Sequence, residues 1–278
     1  MALGVILNRV FRTNNNPLFE YVYQNMEDIE KCYYIIPKEE FSNEATMKRH
    51  YYYGTLQKFV NTLYDHDIQP FLIDYDELID FSKEKGINQV VIAGDIMSYH
   101  KEEYDILHQK EKFKKEDISV TTIRANHYFK PSKTRNNKGE PYKVFTSFYK
   151  KWRPYLMKRT VYNYDLKDIA KVGVKSKQKV KGNYSQSGIS EENAQYKWSD
   201  FLDKDIEDYD TKREYLPDVL TSQLSIYLAY VVLDIIQIFN DLLNSYDKDE
   251  QNYEAFIREL IFREFYYVLM TQYPKTDH

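Results

Sequence analysis

The sequence predicts an α/β domain built on a five-stranded parallel sheet, followed by an all-α segment. Two observations carry the first half. Five short apolar runs rich in Val, Ile and Tyr, at residues 4–7, 32–36, 70–73, 90–93 and 118–123, lack polar alternation. Such runs fit strands buried on both faces. Between them lie stretches of helical period, and that alternation implies right-handed βαβ units on one parallel sheet of order 3-2-1-4-5. A third observation carries the second half: after Ser190 the strand pattern stops and only helical spacing remains.

Each element has its own signal. Leu56, Phe59, Val60 and Leu63 fall at i, i+3, i+4 and i+7, one apolar face of a helix. Residues 74–85 form a second helical stretch that Gly86 terminates as a C-cap, and residues 99–112 a third. Residues 131–139 are a loop by composition, with a short helix expected over 142–156. Residues 171–181 hold five lysines and Gly173 without apolar period, and read as an exposed linker. These lysines could contact phosphates or simply be solvated. Ser190 followed by Glu191 and Glu192 marks a helix start. Helical spacing then runs over 190–202, 221–245 and 252–270. The expected organisation is an α/β domain over 1–128, loop and linker over 129–189, and a helical domain over 190–278.

Composition narrows the class. Hydrophobic residues make up 42% and charged residues 29% of the 278, the balance of a soluble globular protein. A formal net charge of −4 argues against nucleic-acid binding through bulk charge, though a local basic face stays open. The lone Cys32, set in an apolar run, excludes an intrachain disulfide and points to a reducing compartment and an inert, buried thiol. Residues 1–9 lack the pattern of a secretory signal. The most apolar stretch, 224–243, is interrupted by Asp234, Gln237, Asn240 and Asp241 and so reads as a buried helix. A cytoplasmic protein is expected. The six His and one Cys show no metal-ligand spacing, so no metal is expected.

Several blocks then occur in order along the chain. The first is Arg9-Val10-Phe11-Arg12-Thr13-Asn14-Asn15-Asn16-Pro17-Leu18. The second runs from Lys138 through Gly139, Tyr142, Val144, Phe145 and Thr146 to Phe148. Tyr209 and Arg213 come next, at a spacing of four. Thr221-Ser222-Gln223-Leu224-Ser225 and the helix Phe256–Tyr266, which contains Glu259-Leu260-Ile261-Phe262-Arg263-Glu264-Phe265-Tyr266, close the set. Together they resemble the DNA photolyase/cryptochrome family, and most nearly its enzymes for cyclobutane pyrimidine dimers. Independently, hydroxyls and free N–H groups at a helix start suit an anion, although simple N-capping explains most Thr-Ser pairs. Glu259 and Arg263, at i and i+4, could form an ordinary ion pair, partly buried beside Leu260, Ile261 and Phe265.

The resemblance implies light-driven repair of UV-damaged DNA by electron transfer from reduced FAD. It implies that Tyr209, Thr221, Ser222, Gln223, Leu224, Ser225 and Phe256 contact FAD. It further implies that Arg213, Glu259, Phe262, Arg263 and Tyr266 contact DNA, with Glu259 as the catalytic group at the dimer. Several positions depart from the family pattern. Gln223 replaces an Arg, Phe256 and Phe262 each replace a Trp, Val231 stands where the family has Gly, and Val10 replaces an Asp. The antenna chromophore is left unassigned, because Met97-Ser98-Tyr99 and His100-Lys101 match neither known pattern. The resemblance also implies a truncated or split portion, inactive alone, whose remaining helices come from a separate polypeptide. The chain by itself is then expected to bind FAD poorly and to leave Leu224, Leu228, Ile235, Phe239, Leu260, Ile261 and Phe265 as an apolar face in need of partners. The alternatives are a cryptochrome-like blue-light sensor and a degenerate, non-catalytic binding module.

Overall fold

The apolar runs pair in parallel, as their lack of alternation predicts. The computed structural model describes residues 1–39, 46–95, 106–130, 133–182, 184, 188–214 and 221–273. In chain order its first elements are β1 (Ala2–Ile6), α1 (Pro17–Gln24), β2 (Lys31–Lys38), α2 (Thr46–Asp65), β3 (Phe71–Asp74) and α3 (Leu78–Glu84). Next come β4 (Gln89–Ala93), α4 (Ile106–Lys115), β5 (Ser119–Ile123), α5 (Phe145–Trp152) and α6 (Leu166–Lys171). The chain continues with α7 (Glu191–Lys204), α8 (Tyr209–Lys212), α9 (Ser225–Ala229), α10 (Ile235–Ser245) and α11 (Glu250–Gln272). Among the described residues the sheet has five strands in the order β3-β2-β1-β4-β5. Gly4 of the central strand lies opposite Tyr33 of β2 on one side and Val90 of β4 on the other.

Both sheet faces are covered. On one, Ile6, Tyr33, Ile35, Ile73, Val90 and Ile92 pack with Leu78 of α3 and Phe113 of α4. On the other, Leu3, Val5, Tyr34, Ile36 and Val91 are fully buried, and Phe19 of α1 meets Tyr34 edge to face at 5.8 Å. The predicted apolar face of α2 is buried at Leu56, Phe59, Val60 and Leu63. Each such side chain contributes about 1.5–3 kcal/mol on burial. Turn chemistry places the helices. Asn16 caps α1 by accepting from the Leu18 N–H, with Pro17 at the first helical position. Gly86, at φ +65°, takes the left-handed conformation expected of a C-cap after α3. Ser190 Oγ accepts the Asn193 N–H and caps α7.

The described chain packs into two compact units. The first comprises residues 1–126, 162–194 and 225–234; the second comprises 127–161, 195–224 and 235–278. In the first unit, the lysine-rich stretch is anchored to the sheet by its backbone. Cys32 donates its N–H to Val172 O and accepts from Val174 N, both at 2.8 Å. The lysines of this stretch are exposed. In the second unit, Trp198 of α7 donates its indole N–H to Asp241 of α10 at 2.8 Å. Among the described residues, no helix is long and apolar enough to cross a membrane.

Three expectations change. The helix expected over 221–245 is two helices, α9 and α10, separated at residues 230–234. Val231, where the family pattern has Gly, sits there at φ +50°. A β-branched residue is held left-handed only when its surroundings over-determine it. Here Arg12, 2% exposed, donates to Val231 O (3.4 Å), Ala125 O (3.0 Å) and Asn15 O (3.2 Å) and pairs with Asp234 at 3.2 Å. Asn15 also donates to Asp234. The first sequence block is therefore a buried clamp on the end of α9. Second, the expected unpartnered apolar face is absent. Leu224, Leu228, Ile235, Phe239, Leu260, Ile261 and Phe265 are each 5% exposed or less. Third, the described part of the helix expected over 99–112 is 106–115; its start lies outside the described residues, as do the antenna positions 97–101.

Candidate functional site

Helix α11 carries five of the expected site residues on one side. Phe256, Glu259, Phe262, Arg263 and Tyr266 fall within an arc of about 120° at the 100° per residue of an α-helix. Phe256 is 3% exposed and packs against the rings of Phe201 (4.9 Å), Tyr209 (5.1 Å) and Trp198 (5.8 Å). Tyr209 opens α8, and burial pushes its phenol pKa up, with the charge of Glu259 adding to the shift. It therefore stays a neutral hydroxyl.

Arg213, one turn beyond Tyr209, pairs with Glu259 at 3.1 Å and reaches Asp210 at 3.6 Å. The Glu259 ion pair is thus made with Arg213 across two helices rather than with Arg263 along one. Arg263 lies 3.3 Å from Glu264. Glu259 is 47% and Arg213 27% exposed, so the pair is open to water on one side. Its contribution to stability is within about 1 kcal/mol, and its charges remain available to a ligand. Phe262 stacks on Phe145 at 3.6 Å and 21°, and Tyr266, 56% exposed, lies 5.5 Å from Phe262.

The Thr221–Ser225 run divides by burial. Leu224 is a buried plug, Thr221, Gln223 and Ser225 are exposed, and Ser222 is half-buried. Gln223 takes φ +51°. Among the described residues, no partner engages the hydroxyls of Thr221, Ser222 or Ser225. Thr221 to Leu224 belong to the second unit and Ser225, which starts α9, to the first.

Two groups here escaped sequence reasoning. Lys197 Nζ donates to Gln223 Oε1 at 3.1 Å and restores a cation beside a turn that has lost its arginine. Its partner is 26 residues away, beyond any local signal. Glu264 is fully buried and accepts the N–H groups of Tyr128 and Phe129 at 2.8 and 2.9 Å. It is a tether for backbone, although it sits inside the block expected to face DNA. Its apolar neighbours Ile261 and Phe265 were the available sign of burial.

Comparison with known proteins fits this arrangement. The DNA photolyase family profile matches residues 6–164. A deoxyribodipyrimidine photo-lyase of Buchnera aphidicola is 25% identical over 95% of this chain and 58% of its own length. A bacterial class III photolyase from Agrobacterium tumefaciens superposes with TM-score 0.75 at 18% identity, over 99% of this chain and 60% of that one. An archaeal photolyase from Sulfolobus tokodaii, solved with two FAD molecules, gives TM-score 0.63 at 14% identity, over 99% and 60%. The chain thus spans about three fifths of these relatives. It belongs to the DNA photolyase/cryptochrome family.

Proposed function

We propose that this chain contributes the α/β domain and part of the flavin-binding helical domain of an enzyme that splits cyclobutane pyrimidine dimers in UV-damaged DNA. The residues present fit one side of a flavin dinucleotide. Among the described residues the hydroxyls of Thr221 and Ser222 are unengaged, Lys197 brings a positive charge to Gln223, and Phe256 and Tyr209 form an aromatic wall. When bound, reduced FAD excited by blue light supplies the electron that opens the cyclobutane ring. The observation that carries the reading is the convergence of Tyr209, Arg213, Phe256 and Glu259, which lie up to 50 residues apart in sequence, on one patch of α8 and α11.

Thr221, Ser222 and the backbone of Gln223 and Leu224, all of the second unit, would hold the pyrophosphate. Phe262 and Tyr266 offer ring faces to a flipped dimer, and Glu259, oriented by Arg213, accepts hydrogen bonds from its bases. Arg263 and Arg213 meet backbone phosphate. The protein would work in the cytoplasm. The test is flavin binding. The chain co-expressed with the C-terminal helical segment of a family member should co-purify with FAD, and the double variant Thr221→Ala/Ser222→Ala should lower FAD affinity about tenfold, the worth of two hydrogen bonds at ~0.7 kcal/mol each. Unchanged FAD affinity in that variant would refute the phosphate assignment.

A further inference from the structure

The first unit contains a cleft of about 710 Å³ that the flavin reading does not use. That volume lies within the range of small-molecule sites. It opens at the carboxyl ends of β2 and β3, on the sheet edge at which open α/β folds bind ligands but to one side of the switch point between β1 and β4. Lys38, the last residue of β2, and Glu77, just beyond β3, form its floor with Leu72. Arg49 and Tyr53 of α2 form one wall, and Lys179, Lys181 and Tyr184 the other. The second wall is tied in place. Gln178 Oε1 accepts the Leu72 N–H at 2.6 Å, and Gln57 receives the Tyr184 N–H at 3.2 Å and donates to Gly182 O at 3.3 Å. The Tyr184 ring stacks on Tyr53 at 5.4 Å and 23°.

The lining carries four cationic side chains against the single carboxylate of Glu77. Asp74, at 2.9 Å, already balances Lys38. Among the described residues, Arg49 Nε is buried without a hydrogen-bond partner. A guanidinium donor shielded from water without an acceptor calls for an anion. Glu77 favours a ligand whose sugar hydroxyls donate to it and opposes further negative charge on that side. The stacked tyrosine pair presents an apolar ring face beside the charged wall.

We propose that this cleft binds a nucleoside monophosphate, with the phosphate at Arg49, Lys179 and Lys181, the ribose hydroxyls at Glu77 and the base against Tyr184. The site lies wholly within the first unit and shares no residue with the flavin assignment. Isothermal titration of the full chain with adenosine 5′-monophosphate, adenosine and inorganic phosphate tests it, with thermal melts to verify that each variant is folded. The expected result is one site per chain, with the monophosphate bound at least tenfold more tightly than adenosine or inorganic phosphate. Arg49→Gln and the double variant Lys179→Gln/Lys181→Gln should each weaken monophosphate binding at least tenfold. Tyr184→Leu should weaken the monophosphate but leave inorganic phosphate unchanged, and Lys114→Gln, exposed on α4 beside β5 at the opposite edge of the sheet, should change nothing. Absence of monophosphate binding to the wild-type chain, or binding that the Arg49 and lysine variants leave intact, would overturn the proposal. So would equal affinity for adenosine, or single-stranded DNA binding that the monophosphate does not displace.

Discussion

Arg12 and Asp234 form a buried ion pair whose two members, 222 residues apart, each stay at or below 3% side-chain exposure. Removing one member strands the other's charge, so Arg12→Ala should destabilise the chain by about 3–5 kcal/mol in denaturant unfolding. A loss below ~1 kcal/mol would show that water reaches the site. Cys32 tests burial at the other extreme. Its thiol pKa is pushed up to about 12 by desolvation, from an ordinary 9.0. The folded state then keeps its proton while the unfolded chain releases it above pH 9. Stability should therefore fall as pH rises from about 9 towards 12, with no contribution from this group below 9. The native chain should resist Ellman's reagent at pH 8 and react fully in guanidinium; rapid native reaction would contradict the burial. The burial of Cys32 was legible from its apolar neighbours, whereas the Arg12 clamp was not. Apart from the neighbouring Asn15, its partners come from two distant segments, at Ala125 and at Val231 and Asp234, and share no local pattern.

At the scale of elements, the central strands β1, β2 and β4 were readable because they are buried and almost wholly apolar, the edge strands β3 and β5 less so because they are only partly buried, and the alternation of strands with helices allowed few topologies. The break between α9 and α10 was not readable. Apolar spacing continues through 230–234, and the interruption is imposed by Arg12 and Asn15 acting on Val231 and Asp234. The site shows the same division. Motif positions named Tyr209, Arg213, Phe256 and Glu259 as candidates, and the structure brings them together, but the choice of Arg213 over Arg263 as the partner of Glu259 depends on how α8 packs against α11. Glu264 gives a test of element docking. It holds two backbone N–H groups in a water-free position, so Glu264→Ala should cost about 2–4 kcal/mol by leaving Tyr128 N and Phe129 N unsatisfied. Glu264→Gln, which keeps one acceptor oxygen, should cost less. Equal losses would mean that the carboxylate charge, rather than its hydrogen bonds, matters.

For the whole molecule, family membership rests on the match over residues 6–164, and the proposed repair function rests on the patch that α8 and α11 build. Substitution should separate its two kinds of DNA contact. Arg213→Ala should weaken binding to damaged and undamaged DNA alike and reduce the salt slope by about one. Glu259→Ala should spare undamaged binding and lose about 1.5–3 kcal/mol on the dimer, the worth of a charge-assisted hydrogen bond. The most direct measurement is light-dependent repair of an oligonucleotide carrying one cyclobutane dimer. The chain would be reconstituted with FAD and the C-terminal helical segment of a family member, and assayed beside its Glu259→Ala variant. The account predicts repair under blue light, none in darkness, and a variant whose repair falls further than its binding to the undamaged oligonucleotide. No light-dependent repair by a reconstituted complex that holds FAD, or equal losses in repair and binding for the variant, would contradict it.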